Sequence, residues 1–180
     1  MANEKRMDLV ILGFLSHEPM TGYEIKKRID TTLHYFWSGS YGSIYPTLSY
    51  LEKNGQVTKS EGNENGRKKL IYQITDSGRE KLKEWLAVPV VKNELRYETL
   101  LKLFFGKELG REGVLQHISN FEENIKRELP FLEMCEAQLK GICDNEDHRY
   151  YMLTVKFGIE TYKGYLKWCE EARTFLNSFQ

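Results

Sequence analysis

Apolar positions in the first half of the chain recur at helical spacing, and then the period changes. Met7 to Ser16 is an apolar stretch with a polar start. Between Thr21 and Leu33 the apolar positions Ile25, Ile29 and Leu33 step by four, which lays them on one face of a helix. Pro19 separates these two segments. A loop rich in Ser and Gly, Ser38-Gly39-Ser40-Tyr41-Gly42, precedes a third helix. Its apolar residues Ile44, Leu48 and Leu51 fall at i, i+4 and i+7, and Gly55 is the expected stop. Val57 to Ser60 is then rich in extended-chain residues, and Glu61-Gly62-Asn63-Glu64-Asn65-Gly66 reads as a turn by composition. After it, Leu70, Tyr72 and Ile74 alternate with Ile71, Gln73 and Thr75 as in a strand. Two strands about a Gly/Asn turn make a hairpin. Thr75 caps a fourth helix, with Asp76 in the first turn favoured by the helix dipole, and Pro89 stops that helix just after Ala87.

From about residue 90 the pattern is only helical. Glu94 to Phe105 is one amphipathic stretch. A longer one carries Val114, Ile118, Phe121, Ile125, Leu129, Leu132, Cys135 and Leu139, stepping by threes and fours. Pro130 falls inside it, where the ring should kink the helix. The last helix is expected from about Asp147 to Phe179, with Tyr151, Val155, Tyr162, Leu166, Cys169 and Leu176 on one line and Leu153, Phe157, Trp168 and Phe175 beside it. The fold class that follows is mainly α with a small β-hairpin wing: a winged helix-turn-helix over 1–88, then an α-helical domain over 89–180.

Charge and composition narrow the function more than the fold. Lys+Arg and Asp+Glu stand at 26 each, so attachment to DNA by bulk charge is excluded, while a locally basic surface is not. There are 13 basic and 11 acidic residues up to residue 88, and 13 and 15 beyond it. That asymmetry permits two jobs without establishing them. No apolar run approaches the roughly 20 residues of a membrane span, and no leader is expected in Met-Ala-Asn-Glu-Lys-Arg and the short stretch after it. Three cysteines without a CxxC fit a reducing, cytoplasmic location. An enzyme is not expected. The four histidines are scattered, and HExxH, GxSxG and phosphate-binding glycine loops are all missing from the sequence. No cofactor or metal is expected either.

Three helices followed by a Gly-tipped hairpin is the order of a winged helix-turn-helix, in which the third helix enters the major groove and the hairpin reaches the backbone. With Ile44, Leu48 and Leu51 spent on the core, the opposite side of helix three presents Ser43, Tyr45, Pro46, Thr47, Ser49 and Tyr50. Hydroxyls there can bond base edges or phosphates, and Thr or Pro can touch a thymine methyl. Arg67-Lys68-Lys69 places three cations where a wing meets phosphate, and Lys26, Lys27 and Arg28 add charge on helix two.

These residues also carry a family pattern. Thr21-Gly22-Tyr23-Glu24-Ile25, Gly42-Ser43-Ile44-Tyr45-Pro46-Thr47-Leu48 and Leu51-Glu52-Lys53-Asn54-Gly55 resemble the signature of the PadR family of transcriptional regulators. Arg67-Lys68-Lys69-Leu70-Ile71-Tyr72 and Ile74-Thr75-Asp76-Ser77-Gly78 resemble that family's wing and the start of its fourth helix. Leu101-Lys102-Leu103-Phe104-Phe105-Gly106 and the helices after it resemble the larger PadR subgroup, whose C-terminal helical domain dimerises. Gln56 stands where that family usually has an apolar residue, and Leu70 where an aromatic is common.

The resemblance implies a homodimeric regulator, a repressor, that binds a pseudo-palindromic site on double-stranded DNA. The candidate DNA contacts are Tyr23, Lys26, Ser40, Tyr41, Ser43, Tyr45, Pro46, Thr47, Arg67, Lys68 and Lys69. The candidate dimer contacts are Val114, Ile118, Phe121, Ile125, Tyr151, Val155, Tyr162, Leu166 and Cys169. Aromatics of the last helix are candidates to line a pocket for a small aromatic effector, although rings at helical spacing are more often core. The competing class is a winged-helix adaptor that binds protein and no DNA.

Overall fold

The computed structural model describes residues 6–33, 36–37, 41–64, 67–90, 93, 97–142 and 145–178. The chain divides into two compact units, 1–93 and 94–180.

In the first unit α1 (Met7–Leu15) buries Met7, Ile11, Leu12 and Leu15. The two-residue strand β1 (Met20–Thr21) leads into α2 (Gly22–Arg28). Thr21 and Glu24 form a reciprocal cap there: Thr21 Oγ1 accepts from the Glu24 amide at 3.2 Å, and Glu24 Oε2 accepts from the Thr21 amide at 2.7 Å. The expected helix 21–33 is not uniform. Beyond Arg28 it widens to a π turn over Ile29–Leu33, where Thr32 Oγ1 donates to the Arg28 carbonyl at 2.6 Å and Thr31 Oγ1 to that of Lys27 at 3.0 Å. Hydroxyls bonded back to the preceding turn compete with the regular ladder.

After a short 3-10 turn at Tyr41–Ser43, α3 (Ile44–Lys53) buries Ile44, Leu48 and Leu51. It ends at Gly55, whose φ of 67° is left-handed. The Gly55 amide donates to Glu52 O at 3.0 Å and the Gln56 amide to Leu51 O at 2.9 Å, the paired bonds of a Schellman stop.

Strands β2 (Val57–Glu64) and β3 (Arg67–Ile74) pair antiparallel from Val57↔Ile74 to Glu64↔Arg67. The segment 61–64, a turn by its composition, is therefore strand. Its polar residues sit on a ribbon that extends past the core, so no alternation of apolar residues marks them. Met20 and Thr21 pair with Tyr72 and Ile71, which makes the sheet three-stranded in the order β1-β3-β2. Helix α4 (Asp76–Ala87) starts at Thr75, whose Oγ1 accepts from the Gly78 amide at 3.2 Å and donates to the Gly55 carbonyl at 2.7 Å. A Cβ on Gly78 would stand 2.2 Å from the carbonyl oxygen of Gln56, so only glycine allows this approach. Ile25, Ile29, Val57, Tyr72 and Ile74 complete one core with α1 and α3. Lys81 of α4 ties its rim: its Nζ lies 2.6 Å from Asp8 Oδ2, 3.2 Å from Gln56 Oε1 and 5.7 Å from the centre of the Tyr50 ring. The polar residue at 56 thus has a polar partner.

In the second unit α5 (Glu98–Phe104) and a 3-10 turn at Gly106–Glu108 pack on α6 (Gly110–Lys140), which runs through Pro130 as one helix. Helix α7 (Glu146–Ser178) packs along α6. The seam between them buries Ile118, Ile125 and Leu132 against Met152, Ile159 and Cys169. The seven-residue steps on α6 are those of a coiled-coil seam.

This seam corrects two sequence expectations. On α7 the innermost line includes Met152 and Ile159, whereas Tyr151 is exposed. Ile118, Ile125 and Cys169, expected as dimer contacts, are already buried within the single chain, so they have no surface left to give a partner. Val114, Phe121, Val155, Tyr162 and Leu166 are half-buried. Among the described residues, no helix is long and apolar enough to cross a membrane, and no group of His, Cys, Asp and Glu could hold a metal.

Candidate nucleic-acid interface

The buried stripe of α3 fixes which side faces outward. Tyr45 is 62% exposed, Pro46 and Ser49 are exposed, and Ser43 and Thr47 are half-buried. Tyr50, grouped with them on sequence, is exposed but lies under the Lys81 ammonium, on the side of α4. On α2, Tyr23 is 69% exposed, and Lys26 and Lys27 are exposed. Arg28 forms an ion pair with Glu18.

Two contacts bring these elements to one edge. The ring of Tyr45 lies against Gly22, at the first turn of α2, so closely that a Cβ on Gly22 would be 2.7 Å from Tyr45 Cε1. Glu24 lies in the same turn, bonded to Thr21. The bonds from the Thr21 amide and hydroxyl hold its carboxyl below the usual glutamate range; partial burial opposes this, and the positive charges of Lys69 and Arg28 reinforce it. Half-buried Lys69 on β3 therefore stands near the start of α2. The first turn of α2, the N-terminal half of α3 and the inner end of the wing form one face of tyrosines and cations. Its hydroxyls and ammonium groups can donate to acceptors on bases and phosphates.

Of the expected contacts, Tyr23, Lys26, Tyr45 and Pro46 are on this surface, with Ser43, Thr47 and Lys69 partly covered. Ser40 and the side chains of Tyr41, Arg67 and Lys68 lie outside the described residues. Sequence reasoning missed Gly22 as a member of the site. The signal was available: a glycine inside a helical turn costs roughly 1 kcal/mol against alanine and calls for a packing reason.

The second unit offers a different environment. Tyr97, Phe121, Tyr165 and Trp168 meet edge-on or tilted at centroid distances of 5.6 to 6.4 Å, and the hydroxyls of Tyr97 and Tyr165 are hydrogen-bonded. Burial raises the hydroxyl pKa of Tyr97, and burial with the charge of Glu128 raises that of Tyr162. Burial also raises the thiol pKa of Cys135 and Cys169, which disfavours the thiolate form. Cys143 lies outside the described residues.

Comparison with known proteins places both units. Residues 11–84 match the model of the Transcriptional regulator PadR-like family, and residues 95–177 match the Virulence activator alpha C-term model. The probable transcriptional regulator Rv1176c of Mycobacterium tuberculosis is 38% identical over 81 residues, which span 44% of this chain and 43% of that protein's length. The negative transcriptional regulator PadR of Bacillus subtilis is 26% identical over 167 residues, 89% of this chain and 91% of that one. Its crystal structure in complex with operator DNA matches with a TM-score of 0.81 at 26% identity, covering 94% of this chain and 98% of that one. Its complex with p-coumaric acid matches with a TM-score of 0.73 at 25% identity, covering 95% and 98%. The crystal structure of smu.1604c from Streptococcus mutans is 34% identical with a TM-score of 0.80, over 93% of this chain and 98% of that one. These proteins include regulators of transcription. With the head and the helical tail both accounted for, and in that order, the chain belongs to the PadR-like family of transcriptional regulators.

Proposed function

We propose that the chain is a homodimeric repressor that acts in the cytoplasm, with residues 1–88 reading DNA and residues 89–180 pairing two copies. The observation that carries this reading is the exposed Tyr45-Pro46 face of α3, whose Tyr45 ring packs on Gly22 at the start of α2, a helix that exposes Tyr23 and Lys26. Tyr45, Pro46, Ser43 and Thr47 address base edges, while Tyr23, Lys26, Ser40, Tyr41, Arg67, Lys68 and Lys69 hold the phosphates. Two such heads must reach major grooves about 34 Å apart, which makes the site pseudo-palindromic. The direction of control follows the Bacillus relative, a negative regulator.

Pairing follows from surface chemistry. Leu153 and Phe157 on α7 are 66% and 68% exposed, and Phe104 at the end of α5 and Phe105 just after it are also uncovered. Apolar surface of that extent is covered by a second copy of the same patch in a two-fold dimer. The Bacillus relative binds p-coumaric acid, and we infer the same class of effector, a small aromatic acid, for this chain.

A gel shift against the DNA upstream of the chain's own coding region tests the whole reading. A discrete complex that survives excess random duplex, and that weakens on addition of p-coumaric acid, is the expected result. Equal competition by specific and random DNA would remove the regulator reading of this site.

A further inference from the structure

We infer that Gly22 is a positioning residue for DNA reading: its missing side chain is the socket that fixes the ring of Tyr45. The inference rests on the reading of α3 as the helix that enters the groove. Tyr45 is 62% exposed. An exposed tyrosine on a helix ordinarily samples several rotamers, and holding one for a base contact costs conformational entropy. Here the ring rests on the first turn of α2. The three atoms nearest to a Cβ built on Gly22 are Cε1 at 2.7 Å, Cζ at 3.2 Å and Cδ1 at 3.3 Å, all from the Tyr45 ring. Gly22 itself is buried, its backbone is helical, and it lies within the Thr21–Glu24 capping box that fixes the start of α2.

The contact has an unusual division of cost. The atoms that a methyl group at position 22 would meet first all belong to the ring of an exposed side chain, which can swing aside, so the fold loses little. Helical propensity even favours alanine there. What moves is the ring, away from where α3 presents it to DNA. Gly22 thus acts on specificity through Tyr45, and it does so without contacting a base.

The test is a double-mutant cycle on the full chain with Gly22→Ala, Tyr45→Ala and the pair, measuring affinity for the gel-shift fragment and for a random duplex of equal length. Tyr45→Ala should weaken specific binding by about tenfold, the weight of one base contact, and random binding by less. Gly22→Ala should give a similar specific loss with a Tm equal to or above wild type. The pair should bind no worse than Tyr45→Ala alone. In NMR spectra, the Gly22 Hα shifts should change in Tyr45→Ala, because they lose the ring current. Wild-type binding by Gly22→Ala, a further loss in the pair, or failure of Gly22→Ala to fold would each overturn the inference. If Tyr45→Ala itself leaves specific binding intact, the reading of Tyr45 as a base contact fails, and the inference fails with it; a loss in Tyr45→Ala without one in Gly22→Ala overturns the positioning role alone.

Discussion

Glu122 on α6 accepts from Arg173 Nη1 of α7 at 2.7 Å and stands 2.9 Å from Lys126 Nζ on its own helix. Those hydrogen bonds hold its carboxyl below the usual glutamate range, against a smaller opposing effect of burial. A carboxyl with a lowered folded pKa stabilises the fold while the pH is above the unfolded value, about 4.3, and the contribution is lost as the pH falls through the folded value. The urea midpoint of Glu122→Gln should therefore lie below wild type at neutral pH, and the gap should narrow as the pH falls below the usual glutamate range. A constant gap from pH 7 to 3 would show that the pair contributes nothing ionic. At this scale the sequence was readable where chemistry is local: Thr75 as a cap and Gly55 as a stop follow from residue type. Gly22 and Gly78 were visible as letters of a motif, but their reasons, a ring and a carbonyl oxygen, come from partners 23 and 22 positions away.

The elements show the same boundary between local and distant causes. Helices α1, α3 and α4 were legible from spacing and caps. Strand β1 was not, since two residues have no period and Met20 and Thr21 are strand only because β3 lies beside them. The seam of α7 was read one residue off at Tyr151, because a helix rich in aromatics offers several apolar lines, and the choice among them is made by α6. The basic run of the wing belongs to this scale too, since its side chains work as one unit. Replacing Arg67, Lys68 and Lys69 together with Gln should weaken binding to specific and random DNA alike. Each lost phosphate contact should lower the slope of log affinity against log salt by about 0.9. Unchanged affinity and slope would take the wing off the DNA.

For the molecule as a whole, the decisive question is which apolar surface pairs two copies. The sequence reading assigned Ile118, Ile125 and Cys169 to a partner, and the chain buries all three itself. Periodicity identifies an apolar stripe and is silent on whether the cover comes from the same chain or another. Leu153→Glu with Phe157→Glu tests the surface that remains. These side chains are exposed in the single chain, so the fold should persist while light scattering falls to monomer mass, and specific DNA binding should drop steeply. A dimer that survives both charges would move the interface elsewhere. Within the head, meanwhile, Thr75, Gly78, Gln56 and Lys81 bind the end of α3, the root of the hairpin and the start of α4 into one knot. Strain placed on the start of α4 is therefore passed directly to the end of α3 and to the root of the hairpin.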